Sequence, residues 1–108
     1  MTVVVIHADD VDSPNGVFRP LTDSLGVSGF RVNRLDLSPG QEGPEHDHSG
    51  NGQEEVYVVV AGSGTLRTDD GELALRPGHF VFCPAEARLQ MVAGDEGLGW
   101  VGIGSAVP

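Results

Sequence analysis

Sixteen glycines and seven prolines are scattered along all 108 residues of this chain. Each glycine inside a helix costs about 1 kcal/mol and each proline about 3 kcal/mol relative to alanine, so that scatter excludes long helices. No stretch of eleven or more residues carries the i, i+3, i+4, i+7 apolar spacing of an amphipathic helix. Short strand-like segments between turn residues are plentiful instead. Thr2–His7 is β-branched; Phe30–Leu37 alternates, with Phe30 and Val32, then Leu35 and Leu37, and one slip of parity near Asn33. Glu55–Ala61 is almost continuously apolar, which predicts a strand covered on both faces. Gly64–Thr68 and Glu72–Leu75 flank the hairpin signal Asp69-Asp70-Gly71. His79–Cys83 lies between the turn Arg76-Pro77-Gly78 and a break at Pro84, and Arg88–Val92 and Gly99–Ile103 follow. Eight or nine short strands at regular spacing predict one all-β domain, a sandwich or a barrel.

With 39% hydrophobic residues the chain can build a real core. Its basic residues number six, all arginine, against sixteen acidic ones, a formal net charge of −10. That balance repels phosphate backbones and anionic headgroups, and no basic stripe exists, so nucleic acid and membrane surfaces are excluded as partners. The longest apolar runs, Val3–Ile6 and Val56–Ala61, fall far short of the ~20 residues that span a bilayer. The start, MTVVVIHADD, has neither a basic lead nor a small-residue cleavage site, and the expectation is a cytoplasmic protein. The lone Cys83 forbids an internal disulfide, fits a reducing compartment, and reads as a buried small hydrophobe.

The chemistry-bearing residues are concentrated in one segment. His46 and His48 are two apart, so on an extended backbone both imidazoles face one way. Glu54 and Glu55 open the apolar strand shortly after. Two imidazoles and one carboxylate from neighbouring strands form the donor set of a facial triad, which leaves positions open on a divalent ion. Fe, Mn, Zn, Ni and Cu all suit these donors. The bland reading is a polar loop followed by a solvated strand edge. Alternation alone does not choose between Glu54 and Glu55. No nucleophile elbow and no phosphate-cradling loop before a helix occurs.

The segment from Gly40 to Gly64 resembles the cupins, small double-stranded β-helix (jelly-roll) barrels. Their first motif runs Gly, five residues, His-x-His, three or four residues, Glu, six residues, Gly. Here Gly40 is followed by five residues and His46-Asp47-His48, and Glu55 by six residues and Gly62. The resemblance selects Glu55 over Glu54. It departs in one place, because six residues separate His48 from Glu55, and Ser49-Gly50-Asn51-Gly52 is the natural seat of the extra pair. The family's second motif is met at Gly78 and Pro84, then fails: the fourth-ligand histidine falls on Leu89, or on Arg88 if the turn is one residue shorter. Neither side chain can ligate a cation.

The resemblance, which covers residues 30–104, implies a single cupin domain, a divalent metal at His46, His48 and Glu55, and a homodimer in which residues 1–20 pack on a partner subunit. Tyr57 and Val59 share the parity of Glu55 and would line the interior; Leu89 and Met91 would add an apolar pocket wall. Three readings of the shortened ligand set compete. In the first, three protein ligands hold the metal while water or a small organic substrate fills the rest, giving an oxygenase- or isomerase-type enzyme. In the second, a metal-free pocket binds or senses a small ligand, with Arg88 on its carboxylate. In the third, the histidines are merely solvated. His79 reads as structural or exposed, His7 has no chemical role, and core packing is the ordinary reading of Phe80 and Phe82.

Overall fold

The computed structural model describes residues 2–106. A 3-10 turn at Ala8–Asp10 is followed by β1 (Phe18–Pro20), one helical turn α1 (Thr22–Leu25), β2 (Phe30–Leu37), β3 (Glu55–Thr68), β4 (Gly71–Leu75), β5 (Phe80–Cys83) and β6 (Leu89–Ser105). All pairings are antiparallel, in the order β1-β2-β6-β3-β4 with β5 beside β3. The result is a double-stranded β-helix barrel, the all-β fold expected from the turn-rich sequence.

Two long bent strands replace several of the short ones expected. The segments 55–61 and 64–68 are one strand, β3, and the segments 88–92 and 99–103 are joined within β6. The bend occurs where the β3–β6 register shifts between Gly62 and Gly64. Gly62 has φ 74°, and a Cβ there would sit 2.0 Å from the carbonyl oxygen of Gly97. Only glycine turns this corner without collision, and the turn lets a single strand serve both ends of the barrel.

The core is built from inward residues of the two long strands, among them Val59, Leu66, Leu89, Met91, Leu98 and Trp100, with Leu37 from β2. β3 buries one face only: Tyr57 and Val59 point inward, while Val60 is exposed. The near-continuous apolar run therefore marks a half-covered strand. Phe80 and Phe82 are 73% and 59% exposed, and the core reading of them is corrected. β5 pairs on its Phe80–Cys83 side with β3, which turns Val81 and Cys83 inward and both phenylalanines outward. Thr2–His7 forms no strand. Val3 and Val5 are each 88% exposed, and the segment pairs with no strand among the described residues.

Candidate metal centre

The His46-Asp47-His48 segment is held extended by the barrel wall. His46 exchanges two backbone hydrogen bonds with Leu89, at 3.0 and 3.1 Å, and the His48 N–H donates to Ala85 at 2.8 Å. Those pins keep the backbone extended, so both rings turn to the same side and Asp47 turns away. Asp47 accepts from the N–H and hydroxyl of Ser49, which lowers its carboxyl below the ordinary value. The N–H groups of Asn51 and Gly52 then donate to the His48 carbonyl, closing the turn that brings the chain back to Glu55. The longer loop between His48 and Glu55 is thus a tight turn that leaves the three side chains in register.

Glu55 is the first residue of β3, paired with Cys83 on one side and Gly104 on the other. The ligand-capable atoms of His46, His48 and Glu55 lie within 4.8 Å of one another, the one such group among the described residues. Nε2 of His48 stands 2.5 Å from Oε1 of Glu55, and the two imidazoles meet edge to face with centroids 5.5 Å apart. Donor atoms about 2.1 Å from one ion stand roughly 3 to 4 Å apart; with the three donors inside 4.8 Å, a small opening of the His48–Glu55 contact brings them onto a single cation. Nδ1 of His46 lies 3.3 Å from the carbonyl oxygen of Pro44, and Nε2 lies 3.0 Å from the Tyr57 hydroxyl. With the ring proton on Nδ1, donated to that carbonyl, Nε2 would be free to ligate. The Tyr57 hydroxyl also donates to Glu55 at 3.4 Å. Burial, then the neighbouring Glu55 charge, pushes the Tyr57 phenol far above its usual range, so it stays a neutral hydroxyl.

The triad faces a cavity of about 290 Å³. Antiparallel partners share a face, and the register lays the inward residues out in rows. Arg31, Gly104 and Glu55 form one; Asn33, Gly102 and Tyr57 the next; Leu35, Trp100 and Val59 the third. All but Val59 line the cavity, and Met91 closes one side.

Of the pocket residues expected from the sequence, Tyr57 and Met91 are on this cavity, and Leu89 and Arg88 are not. Leu89 is buried in the core beside His46, an apolar side chain at the fourth-ligand position. Arg88 faces a separate shallow groove and pairs with Glu45 at 3.2 Å. It precedes β6 by one residue, and the parity that sends Leu89 inward sends Arg88 out. His79 accepts from the Arg76 N–H and ties the turn before β5, and His7 caps the 3-10 turn. Cys83 is buried, and desolvation followed by the Glu55 charge pushes its thiol up to about 12.

Sequence reasoning missed Arg31, Asn33, Gln53 and Trp100. Gln53 is buried and donates to the Ser105 carbonyl at 2.8 Å, beside the triad end of the cavity. The signal for the first two was the parity slip near Asn33. No slip exists: residues 31, 33, 35 and 37 all line the cavity, Leu37 and Leu35 at its inner end and Asn33 and the exposed Arg31 towards its mouth.

A family model described as a cupin domain matches residues 33–101, well over half of the chain. The chain belongs to the cupin-domain family. No curated protein matches it. Among solved cupin-like structures, a polyketide cyclase from Streptomyces resistomycificus superposes with a TM-score of 0.82 at 21% identity, covering 99% of this chain and 82% of that one. A sugar phosphate isomerase of the cupin superfamily from Silicibacter pomeroyi gives 0.81 at 24% identity, over 97% and 77%. A cupin protein from Bacteroides fragilis gives 0.75 at 23%, over 94% and 86%. At these identities the likeness is one of fold. No helix among the described residues of this cupin is long and apolar enough to cross a membrane.

Proposed function

We propose that this cupin binds one divalent transition metal through His46, His48 and Glu55 and acts on a small organic molecule held in the barrel cavity. The observation that carries the proposal is the convergence of three donor atoms within 4.8 Å at the wall of a 290 Å³ cavity. Three protein ligands leave positions open, as a catalytic ion requires. When bound, the ion would polarise a substrate oxygen as a Lewis acid. The Tyr57 hydroxyl holds a proton beside His46 and Glu55, where it can donate to an oxygen of the bound molecule. Trp100, Leu35 and Met91 exclude water from the carbon skeleton. Isomerisation or cyclisation of a small oxygenated substrate, the activities named for two of the similar structures, needs no more than these parts; an oxygenase reaction would use the same open positions.

The buried Leu89 at the fourth-ligand position favours a second reading, a metal-free cupin that binds or senses a small ligand. Trp100 is the single tryptophan of the chain and stands in the cavity wall, so its fluorescence separates the two. Titration with Ni²⁺ or Cu²⁺ is expected to quench it saturably in the wild type and not in Glu55→Gln. Equal quenching of both proteins, or none, rejects the metal site.

A further inference from the structure

We propose that the cavity's occupant carries an oxyanion, a carboxylate or a phosphate, and that Arg31 is the residue that receives it. The inference rests on the reading of the barrel cavity as a small-molecule site; it does not depend on the metal.

The rows of inward residues lead to it. Arg31 and Glu55 are in the same row, separated only by Gly104, and Asn33 faces Tyr57 across Gly102. The strand between them contributes no side chain at either rung. With neighbouring strands about 4.8 Å apart, the backbones of Arg31 and Glu55 stand roughly 10 Å from each other. A Cβ on Gly104 would come within 2.7 Å of the Gln53 amide, so the Gln53 side chain lies over that rung, between Arg31 and Glu55.

Charge singles out Arg31. Arg19 and Arg34 hold Asp36, Arg67 holds Glu42 and Glu72, and Arg88 holds Glu45. Arg31, at the exposed mouth of the cavity, is its one arginine. Of the arginines among the described residues, only Arg31 and Arg76, which lies outside the cavity, make neither an ion pair nor a side-chain hydrogen bond. A guanidinium presents five N–H donors in a fork that matches carboxylate and phosphate oxygens. In a chain of net charge −10, anions are repelled from most of the surface, and an unpaired guanidinium at the cavity mouth is where one can be held. One rung further in, Asn33 has a buried side-chain oxygen without a partner, and the Trp100 ring nitrogen on the next rung is also unpartnered. A buried polar atom left unpaired costs about 1–3 kcal/mol, and a hydroxyl on the occupant would satisfy Asn33 after a small shift of the wall. The occupant is therefore a short hydroxylated acid: its oxyanion on Arg31, a hydroxyl near Asn33, and its far end towards His46, His48 and Glu55.

The test is a titration of the protein, metal-free and again with Ni²⁺ added, with tartrate, glycerol 3-phosphate and the uncharged tetrol threitol, read by Trp100 fluorescence and calorimetry. At least one anion is expected to bind about tenfold or more tighter than threitol, more weakly as salt is raised. The tighter of the two assigns carboxylate or phosphate. Arg31→Gln is expected to weaken the anions about tenfold or more, leaving threitol and Ni²⁺ binding unchanged, and Arg31→Lys to restore part of the loss. The proposal is overturned if neither anion binds below about 10 mM in either form, if threitol binds as tightly, or if Arg31→Gln binds the anions as well as the wild type. Arg31-dependent anion binding without any Ni²⁺ binding would sustain it while removing the metal centre.

Discussion

The hydroxyl of Tyr57 stands 3.0 Å from Nε2 of His46, two residues along the same inward face from Glu55. A cation at His46 would displace this contact at Nε2, so the phenol is both a neighbour of the centre and its rival. The side chain also packs its ring against Trp100 at a centroid separation of 6.1 Å, which holds the hydroxyl in place.

Replacing Tyr57 by phenylalanine keeps the ring and removes the rival. The expected outcome is a loss of about 0.5–1.5 kcal/mol in the metal-free protein, the usual net worth of one hydrogen bond. Metal affinity should stay level or rise. Denaturant unfolding and a Ni²⁺ titration check both; a fall in affinity of more than about tenfold would make the hydroxyl itself a ligand.

Two glycines on the long strands should respond oppositely to alanine. Gly62→Ala forces a Cβ to within 2.0 Å of the Gly97 oxygen at φ 74°, and a loss of more than about 3 kcal/mol is expected. Gly102→Ala meets only Leu35 and Tyr57 carbons at 3.6 Å, an ordinary contact. It should be neutral or stabilising by about 0.4–1 kcal/mol while narrowing the cavity. Equal losses at the two positions would contradict the corner described for β3.

Cys83 should resist thiol reagents. Its pKa is raised to about 12, first by burial and then by the Glu55 charge, so the thiolate is the disfavoured form. At pH 8 roughly one molecule in ten thousand carries the thiolate, against about one in four for an exposed cysteine. Alkylation by iodoacetamide should be slow at pH 8 and accelerate on unfolding in urea. Rapid labelling of the folded protein would show that the inward placement of β5 is wrong.

Phe80 and Phe82 test the oligomeric state expected from the family resemblance. For an isolated chain with both rings exposed, threonine at either position should cost less than about 1 kcal/mol. A loss of 3 kcal/mol or more, the range for a buried phenylalanine, would mean that a second copy covers them in solution. Light scattering on the same variants distinguishes a dimer from a repacked monomer.

Much of this was legible before any coordinates. Glycine and proline placement implies the all-β class, and the spacing from Gly40 to Gly62 picks out the three donors, because both features are local along the chain. What was hidden is set by pairing between distant strands. Phe80 and Phe82 look like core residues until β5 is paired with β3, and Thr2–His7, β-branched like a strand, pairs with none here. Arg31 and Asn33 broke the apolar alternation of β2, and the break was taken for a change of face. The alternation in fact continues, and the cavity lining turns polar at Asn33 and Arg31.

The central claim is tested most directly by counting metal. Protein reconstituted with excess Fe²⁺, Mn²⁺, Zn²⁺, Ni²⁺ or Cu²⁺ and then desalted should retain about one equivalent of at least one of them by elemental analysis. The same protein with His46→Ala should retain none while keeping its fold by circular dichroism. Wild-type protein that holds no metal after every reconstitution, or a His46→Ala protein that holds as much, would contradict the account.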